Sequence, residues 1–256
     1  MPSGFVEPFV LTLARPGDVT VIAGLARDHG EDRVLLRPRP SLEAAARRDR
    51  AWKIVDHDGQ LVASTFLFPL GAGLEEVAEL DGDGALEGGI AAYEMAHMTV
   101  HSAARGLDFG VLLHGVRVLW MLEERLTAPP LWLVMFDNAT SVRLVTQIGA
   151  EPVPALPPAL AAGLRQRAEK VLARRAAPGV PASLTDVVKT MTIPAHGLSR
   201  TLRETAGALA LLGARLTVAP PLDHWFNLSR FRELRAGARV LPWAHSPLYR
   251  ALWGST

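Results

Sequence analysis

The chain has 256 residues, room for one large domain or two small ones; with 49% apolar and 21% charged residues it can bury a core and is not disordered by composition. It contains no cysteine, which excludes a disulfide framework, thiolate catalysis and a cysteine zinc site. The net charge of +1 hides a split: residues 1–150 carry 13 Lys+Arg against 20 Asp+Glu, and residues 151–256 carry 14 against 6. Such asymmetry suggests two structural units, or a basic half that meets phosphates, an acidic carrier or the acidic half itself. The arginines are scattered and have no aromatic stacking motif beside them, which argues against nucleic acid. No apolar run reaches the roughly 18 residues of a membrane span, and the amino terminus lacks the basic-then-apolar order of a signal peptide, so a cytoplasmic location is expected.

Phe9–Leu13 alternates and reads as a strand that stops at Arg15-Pro16-Gly17-Asp18. Asp18 is placed to cap a helix through about Asp28, and Ser41 to cap another over Ser41–Arg50. Trp52–Asp56 and Leu61–Leu67 flank His57-Asp58-Gly59-Gln60, a hairpin signal. Residues 70–89 are Gly-rich and acidic and read as a loop. Tyr93–Val100 is the next strand, Gly110–Arg125 a helix, and Leu131–Phe136 a strand apolar on both faces, as if covered on both sides. Asn138 caps a helix ending at Gly149. This order implies an α/β (α+β layered) fold, a mixed central sheet flanked by helices. Four prolines at 152, 154, 157 and 158 mark a break, giving units 1–153 and 154–256. Beyond it, Ala159–Ala176 and Ser199–Leu212 read as helices, and Leu216–Ala219 and Arg239–Leu241 as weak strands.

The informative segment is Val100-His101-Ser102-Ala103-Ala104-Arg105-Gly106-Leu107-Asp108-Phe109-Gly110, a strand running through a turn straight into a helix. Amides of such a turn and of the first helical turn have no intrahelical acceptors, and the helix dipole adds positive potential, so the corner suits a pyrophosphate. Val100, Arg105, Gly106 and Gly110 stand in the register of the cofactor motif of the GNAT superfamily of CoA-dependent N-acyltransferases, which this stretch resembles. A second stretch, Leu131–Phe136 followed by Asn138, Ser141, Leu144, Gly149 and Ala150, is similar to the next motif of that family. The resemblance covers roughly residues 8–153.

The resemblance implies that an acyl-CoA, most simply acetyl-CoA, is the co-substrate, with its pantetheine arm between the strands Tyr93–Val100 and Leu131–Phe136. Backbone groups of Met98, Thr99 and Val100 would hold the arm and the thioester carbonyl. Amides of Arg105, Gly106, Leu107, Asp108, Phe109 and Gly110 would bind the pyrophosphate, with Asn138 and Ser141 on the far wall. A small-molecule or peptide amine would attack directly, with no metal. Glu94 sits where many family members carry a base, and burial would raise its basicity. His97, the second catalytic candidate, falls on the opposite face of the strand by simple alternation, unless a bulge intervenes. Three residues depart from the family pattern: Val145 stands at the usual general-acid tyrosine, Asp108 at the middle glycine of the turn and Ala150 at an aromatic position. Tyr93 is then an alternative hydroxyl. Same chemistry with a longer acyl donor, or a non-catalytic CoA- or partner-binding module, are the rival readings.

Asp81-Gly82-Asp83-Gly84 lacks the third and closing ligands of a calcium loop, and no metal site is expected. The segment reads as a solvated acidic loop, the alternative being that its acidic residues attract a cationic amine. The carboxy-terminal unit echoes the first: Met191-Thr192-Ile193, a helix, Leu216–Ala219, Asn227 and Gly237-Ala238 repeat the order of Met98-Thr99-Val100, a helix, Leu131–Phe136, Asn138 and Gly149-Ala150. A degenerate half-repeat predicts a strand–helix–strand–helix order across 190–242. The basic balance and the aromatics Trp225, Phe226, Phe231, Trp243, Tyr249 and Trp253 suit a cover for the acceptor groove, an acyl pocket, a dock for an acyl carrier protein, or a plain helical extension.

Overall fold

The computed structural model describes residues 4–29, 37–77, 89–135, 138–154, 156–175, 188–224, 226–237 and 241–253. The acidic stretch 78–88, Phe136, Trp225 and the strand expected to begin at Arg239 lie outside the described residues or reach beyond them.

Eight strands form one mixed sheet in the order β6-β7-β5-β4-β3-β2-β1-β8. In chain order they are β1 (Phe9–Leu13), β2 (Ala51–Val55), β3 (Leu61–Leu70), β4 (Ala92–Val100), β5 (Pro130–Met135), β6 (Glu151–Pro152), β7 (Val188–Thr192) and β8 (Leu216–Val218). β1 to β4 are successive antiparallel neighbours, β4 and β5 are parallel, and β7 lies antiparallel between β5 and β6. The β2–β3 hairpin turns where Asp-Gly predicts it: Gly59 takes φ +79° and the Asp56 carboxylate accepts the Gln60 amide at 2.8 Å.

Helices cover both faces. On one lie α1 (Val19–His29) and α2 (Arg39–Arg47), whose Val19, Ile22, Leu42, Ala45 and Ala46 pack on Phe66 and Phe68 of β3. Two local expectations shift here. The Asp18 carboxylate accepts the Arg15 amide at 2.7 Å and the Lys53 ammonium at 2.7 Å, within a short 3-10 turn that precedes α1. α2 begins two residues before Ser41, because Pro38 and Pro40 favour a helix start and need no amide acceptor. At the far end of the sheet, α5 (Pro158–Arg175) sets Leu160, Leu164 and Ala168 against Leu70, Leu131 and Val188. Gly163 comes so near Gly73 that a Cβ would stand 1.8 Å from its carbonyl oxygen. The other face carries α3 (Phe109–Glu123), α4 (Ala139–Gln147) and α6 (Leu198–Leu212).

The expected boundary at 153/154 does not divide this sheet. β7 sits between β5 and β6, β8 pairs with β1 at the opposite edge, and one core cluster joins Leu112 and Val116 to Leu202, Phe231 and Trp243. α6 presses on α3 where a Cβ on Gly115 would stand 2.1 Å from Thr205 Oγ1. The strand–helix–strand–helix order of the half-repeat is present as β7, α6, β8 and α7 (Leu228–Gly237). Its two strands, however, have five strands between them in the sheet, whereas β4 and β5 are neighbours, so the two units do not share one arrangement. The aromatics Phe226, Phe231, Trp243 and Tyr249 are core residues at 2% exposure or less; Tyr249 stands on the short α8 (Pro247–Trp253). Part of the charge split is met within the fold: Arg230 of α7 grips Glu123 of α3 with two bonds of 2.7 and 3.1 Å, and Arg215 pairs with Glu7.

Candidate active site

β4 and β5 hydrogen-bond only at Tyr93↔Pro130 and Glu94↔Leu131. Beyond these, β4 runs on to Val100 and β5 to Met135 without pairing with each other, while the other edge of β5, Trp132–Met135, pairs with β7. A wedge therefore opens in mid-sheet, with main-chain groups of Met95–Val100 on its β4 wall. Residues 98–100, expected to hold a pantetheine arm, lie along that wall.

β4 also carries a bulge. Thr99 pairs with Ser64 and Ala96 with Phe66, so Thr65 faces two residues, His97 and Met98. His97 takes φ +56°, a left-handed conformation unusual for its type. The extra residue inverts the alternation beyond Ala96. His97 consequently joins Glu94 on the α1–α2 face, edge-on to Phe66 at 5.3 Å between ring centres, rather than on the opposite face that simple alternation gives. Met98 packs on the α3 side, near Gly110 and Leu144.

Glu94 is 7% exposed and ion-paired with Arg37, which also binds Glu76 at 2.7 Å and lies over the Phe68 ring. Sequence reasoning missed Arg37, which sits more than fifty residues from Glu94 with no motif around it. His97 is 5% exposed, and neither ring nitrogen has a partner in another residue. Burial, aided by the nearby Arg37 charge, pushes its pKa down to about 4. Ser64 Oγ and Thr99 Oγ1, cross-strand neighbours beyond the bulge, are buried and unpartnered as well. Buried polar atoms normally find partners, so this strip stands out within the core. The neutral His97 stabilises the fold above pH 6.5, and that contribution drains away as the pH falls from 6.5 through about 4. Urea unfolding at pH 7 and pH 4 should therefore show the wild type losing about 3 kcal/mol more than His97→Gln over that interval; equal losses would contradict the neutral buried imidazole.

The turn after β4 uses more of its own amides than expected. Ala103 N donates to His101 Nδ1 at 3.1 Å, Ala104 N to His101 O at 2.9 Å and Arg105 N to Ser102 O at 3.3 Å. Among the described residues, donors without a protein acceptor thus run over Gly106–Val111, the last three being the opening amides of α3. Gly106 (φ +92°) has open space where a Cβ would stand. Asp108 takes φ +58° with its exposed side chain making no capping bond, which explains the glycine usual in the family motif: the position is left-handed, and Asp is one of the few other residues that tolerate it. Leu107 is half-buried against the core, Phe109 is buried edge-on to Phe9 at 5.0 Å, and Gly110 lets Leu144 of α4 approach to 3.0 Å of its missing Cβ. The Arg105 guanidinium donates to His29 O at 2.9 Å, and the His29 and His101 rings lie 3.9 Å apart, a basic corner beside the turn.

On the far wall, Asn138 Oδ1 accepts the Ser141 amide at 3.0 Å, so Asn138 caps its own helix and Ser141 supplies the capped donor. Val145 is core at 1% exposure, and Tyr93 is buried with its ring under Arg50. His114 of α3 is 2% exposed within the core beside Arg117 and Trp132. Among the described residues no group of three or more His, Asp or Glu is placed to hold a metal, and no helix is long and apolar enough to cross a membrane.

No protein-family model matches the chain, and no curated protein does. Solved structures with a similar fold include a Mycobacterium tuberculosis protein in complex with CoA (16% identity, 72% of this chain and 98% of that one, TM-score 0.44). They also include a GCN5-related N-acetyltransferase from Kribbella flavida (16%, 73% and 98%, TM-score 0.44) and an acetyltransferase of the GNAT family from Streptococcus pneumoniae (12%, 73% and 99%, TM-score 0.42).

Proposed function

We propose that the protein is an N-acyltransferase that moves an acyl group, most simply acetyl, from acyl-CoA to a primary amine by direct attack. The observation that carries this reading is the wedge between β4 and β5, with a bulge on one wall and the unpaired amides of Gly106–Val111 at its mouth. A pantetheine arm lying in the wedge finds the strand-like main chain of Met98–Val100, and its pyrophosphate finds a helix start. The thioester carbonyl then gains negative charge near fixed backbone donors, which stabilise it without reorganising. Glu94 and His97 share the face from which the amine would enter. Glu94 accepts its proton, directly or through water held at the strip of His97, Ser64 and Thr99. With Val145 in the core, water protonates the departing thiolate.

The absence of cysteine makes a thiol-release assay free of background from the protein. CoA should bind in calorimetry, and a panel of acyl-CoA esters of increasing chain length against diverse amines should release thiol for at least one pair. Preference for esters longer than acetyl would shift the donor class. CoA binding without turnover across the whole panel would favour a binding module, a reading helped by the Arg37 clamp on Glu94 and by Val145. Absence of CoA binding would overturn the proposal. Asp108→Gly should tighten CoA binding roughly three- to fivefold at low salt. It removes about 1 kcal/mol of close-range repulsion from the phosphate corner; calorimetric titration of both proteins checks this.

A further inference from the structure

Arg117, on the third turn of α3, is 0% exposed, and no carboxylate touches it among the described residues. Burial pulls its pKa down to about 9, so it remains a cation at neutral pH. Its Nη1 donates to the carbonyls of Phe66 at 3.3 Å and Ala96 at 3.4 Å, and its Nη2 meets His114 Nδ1, which also accepts Trp132 Nε1 at 3.0 Å. Phe66 and Ala96 are the last cross-strand pair before the bulge. A desolvated guanidinium without a counterion is costly, and an apolar residue of similar size normally serves a core as well or better. The cation is therefore spent on something packing does not require.

We propose that Arg117 is a positioning residue for the transfer site. From the far face of the sheet it caps the two carbonyls at the edge of the β4 bulge, and so holds His97 on the face of Glu94 and the main chain of Met98–Val100 along the wedge. The carbonyl of Ala96 and the amide of His97 belong to one peptide unit. A cationic donor on that carbonyl polarises the unit and strengthens its N–H as a donor. His114, packed between Arg117 and Trp132 of β5, ties the same clamp to the second wall of the wedge.

The kinetic consequences rest on the acyl transfer proposed above; the structural ones do not. The test compares wild type with Arg117→Met and Arg117→Lys. A merely structural role predicts a loss of thermal stability in Arg117→Met and an unmoved histidine. A positioning role predicts a folded Arg117→Met of equal or higher Tm whose His97 ring, followed by NMR through a pH titration, moves its midpoint up from about 4 by about one unit or more. If acyl transfer is found, kcat should fall roughly tenfold to a hundredfold with a smaller loss of CoA affinity, and millimolar guanidinium should restore part of the rate to Arg117→Ala. If no transfer is found with any donor, the His97 titration decides alone. Arg117→Lys, which keeps the charge but loses the fork, carries the same readouts should Arg117→Met fail to fold. A His97 midpoint that stays in place in the folded variant overturns the proposal.

Discussion

Glu94→Gln is expected to lower kcat by about two to three orders of magnitude while CoA affinity stays within about threefold of wild type. The amide keeps the size of the side chain and loses its capacity to take a proton. In the resting structure Glu94 is held by Arg37, which divides its guanidinium between Glu94 and Glu76 over the face of Phe68. On the proposed reaction, a substrate amine entering as a cation competes with Arg37 for the same carboxylate, which would couple binding of the acceptor to release of Glu94. Arg37→Met should for that reason change the acceptor KM more than CoA affinity. A Glu94→Gln variant with near wild-type kcat and an unaltered acid limb in its pH–rate profile would move the base to His97, or to water at the neighbouring polar strip.

Gly149→Ala is expected to cost about 3 kcal/mol of stability and to lower Tm on the order of 10 °C. Gly149 ends α4 at φ +92°, a conformation that costs an alanine about 1 kcal/mol by itself. A Cβ there would also stand 2.5 Å from the carbonyl oxygen of Gly197, and a Cβ on Gly197 would stand 2.3 Å from the carbonyl oxygen of Gly149. Neither backbone can give way easily, since Thr201 Oγ1 of α6 donates to Ile148 O at 2.6 Å beside the contact. Urea titration of the variant measures whether the carboxy-terminal helices are structurally continuous with α4. A cost well below 1 kcal/mol would mean that α6 docks loosely and that the two portions of the chain are separable.

The elements that position the site could be read locally. Phe9–Leu13, the Asp-Gly hairpin, the strand into the Arg105-Gly106 turn and the Asn138 cap each depend on residues within one turn or one strand of each other. What escaped was non-local. Arg37 and Glu94 meet across the sheet, Arg117 reaches the Ala96 carbonyl through it, and the bulge that moves His97 to the other face has no turn residue to announce it. One signal for the cover over α3 was available. Val111, Leu112, Leu113, Val116, Val118, Leu119 and Met121 spread around that helix, with His114 and Arg117 as its polar side chains before Glu123, and a helix so largely apolar must be buried on nearly every side. That pattern requires a second layer, and α6 from the carboxy-terminal portion supplies it.

The order of strands and helices around the turn after β4 and the absence of cysteine chemistry follow from the amino acids alone, because they depend on local backbone preference and on which functional groups exist. The place of β7 beside β5, the wedge between β4 and β5, the sharing of Glu94 with Arg37 and the burial of Arg117 were decided by tertiary structure. Each joins residues from about 20 to nearly 60 positions apart, and such meetings are set by how whole faces pack rather than by any neighbouring residue.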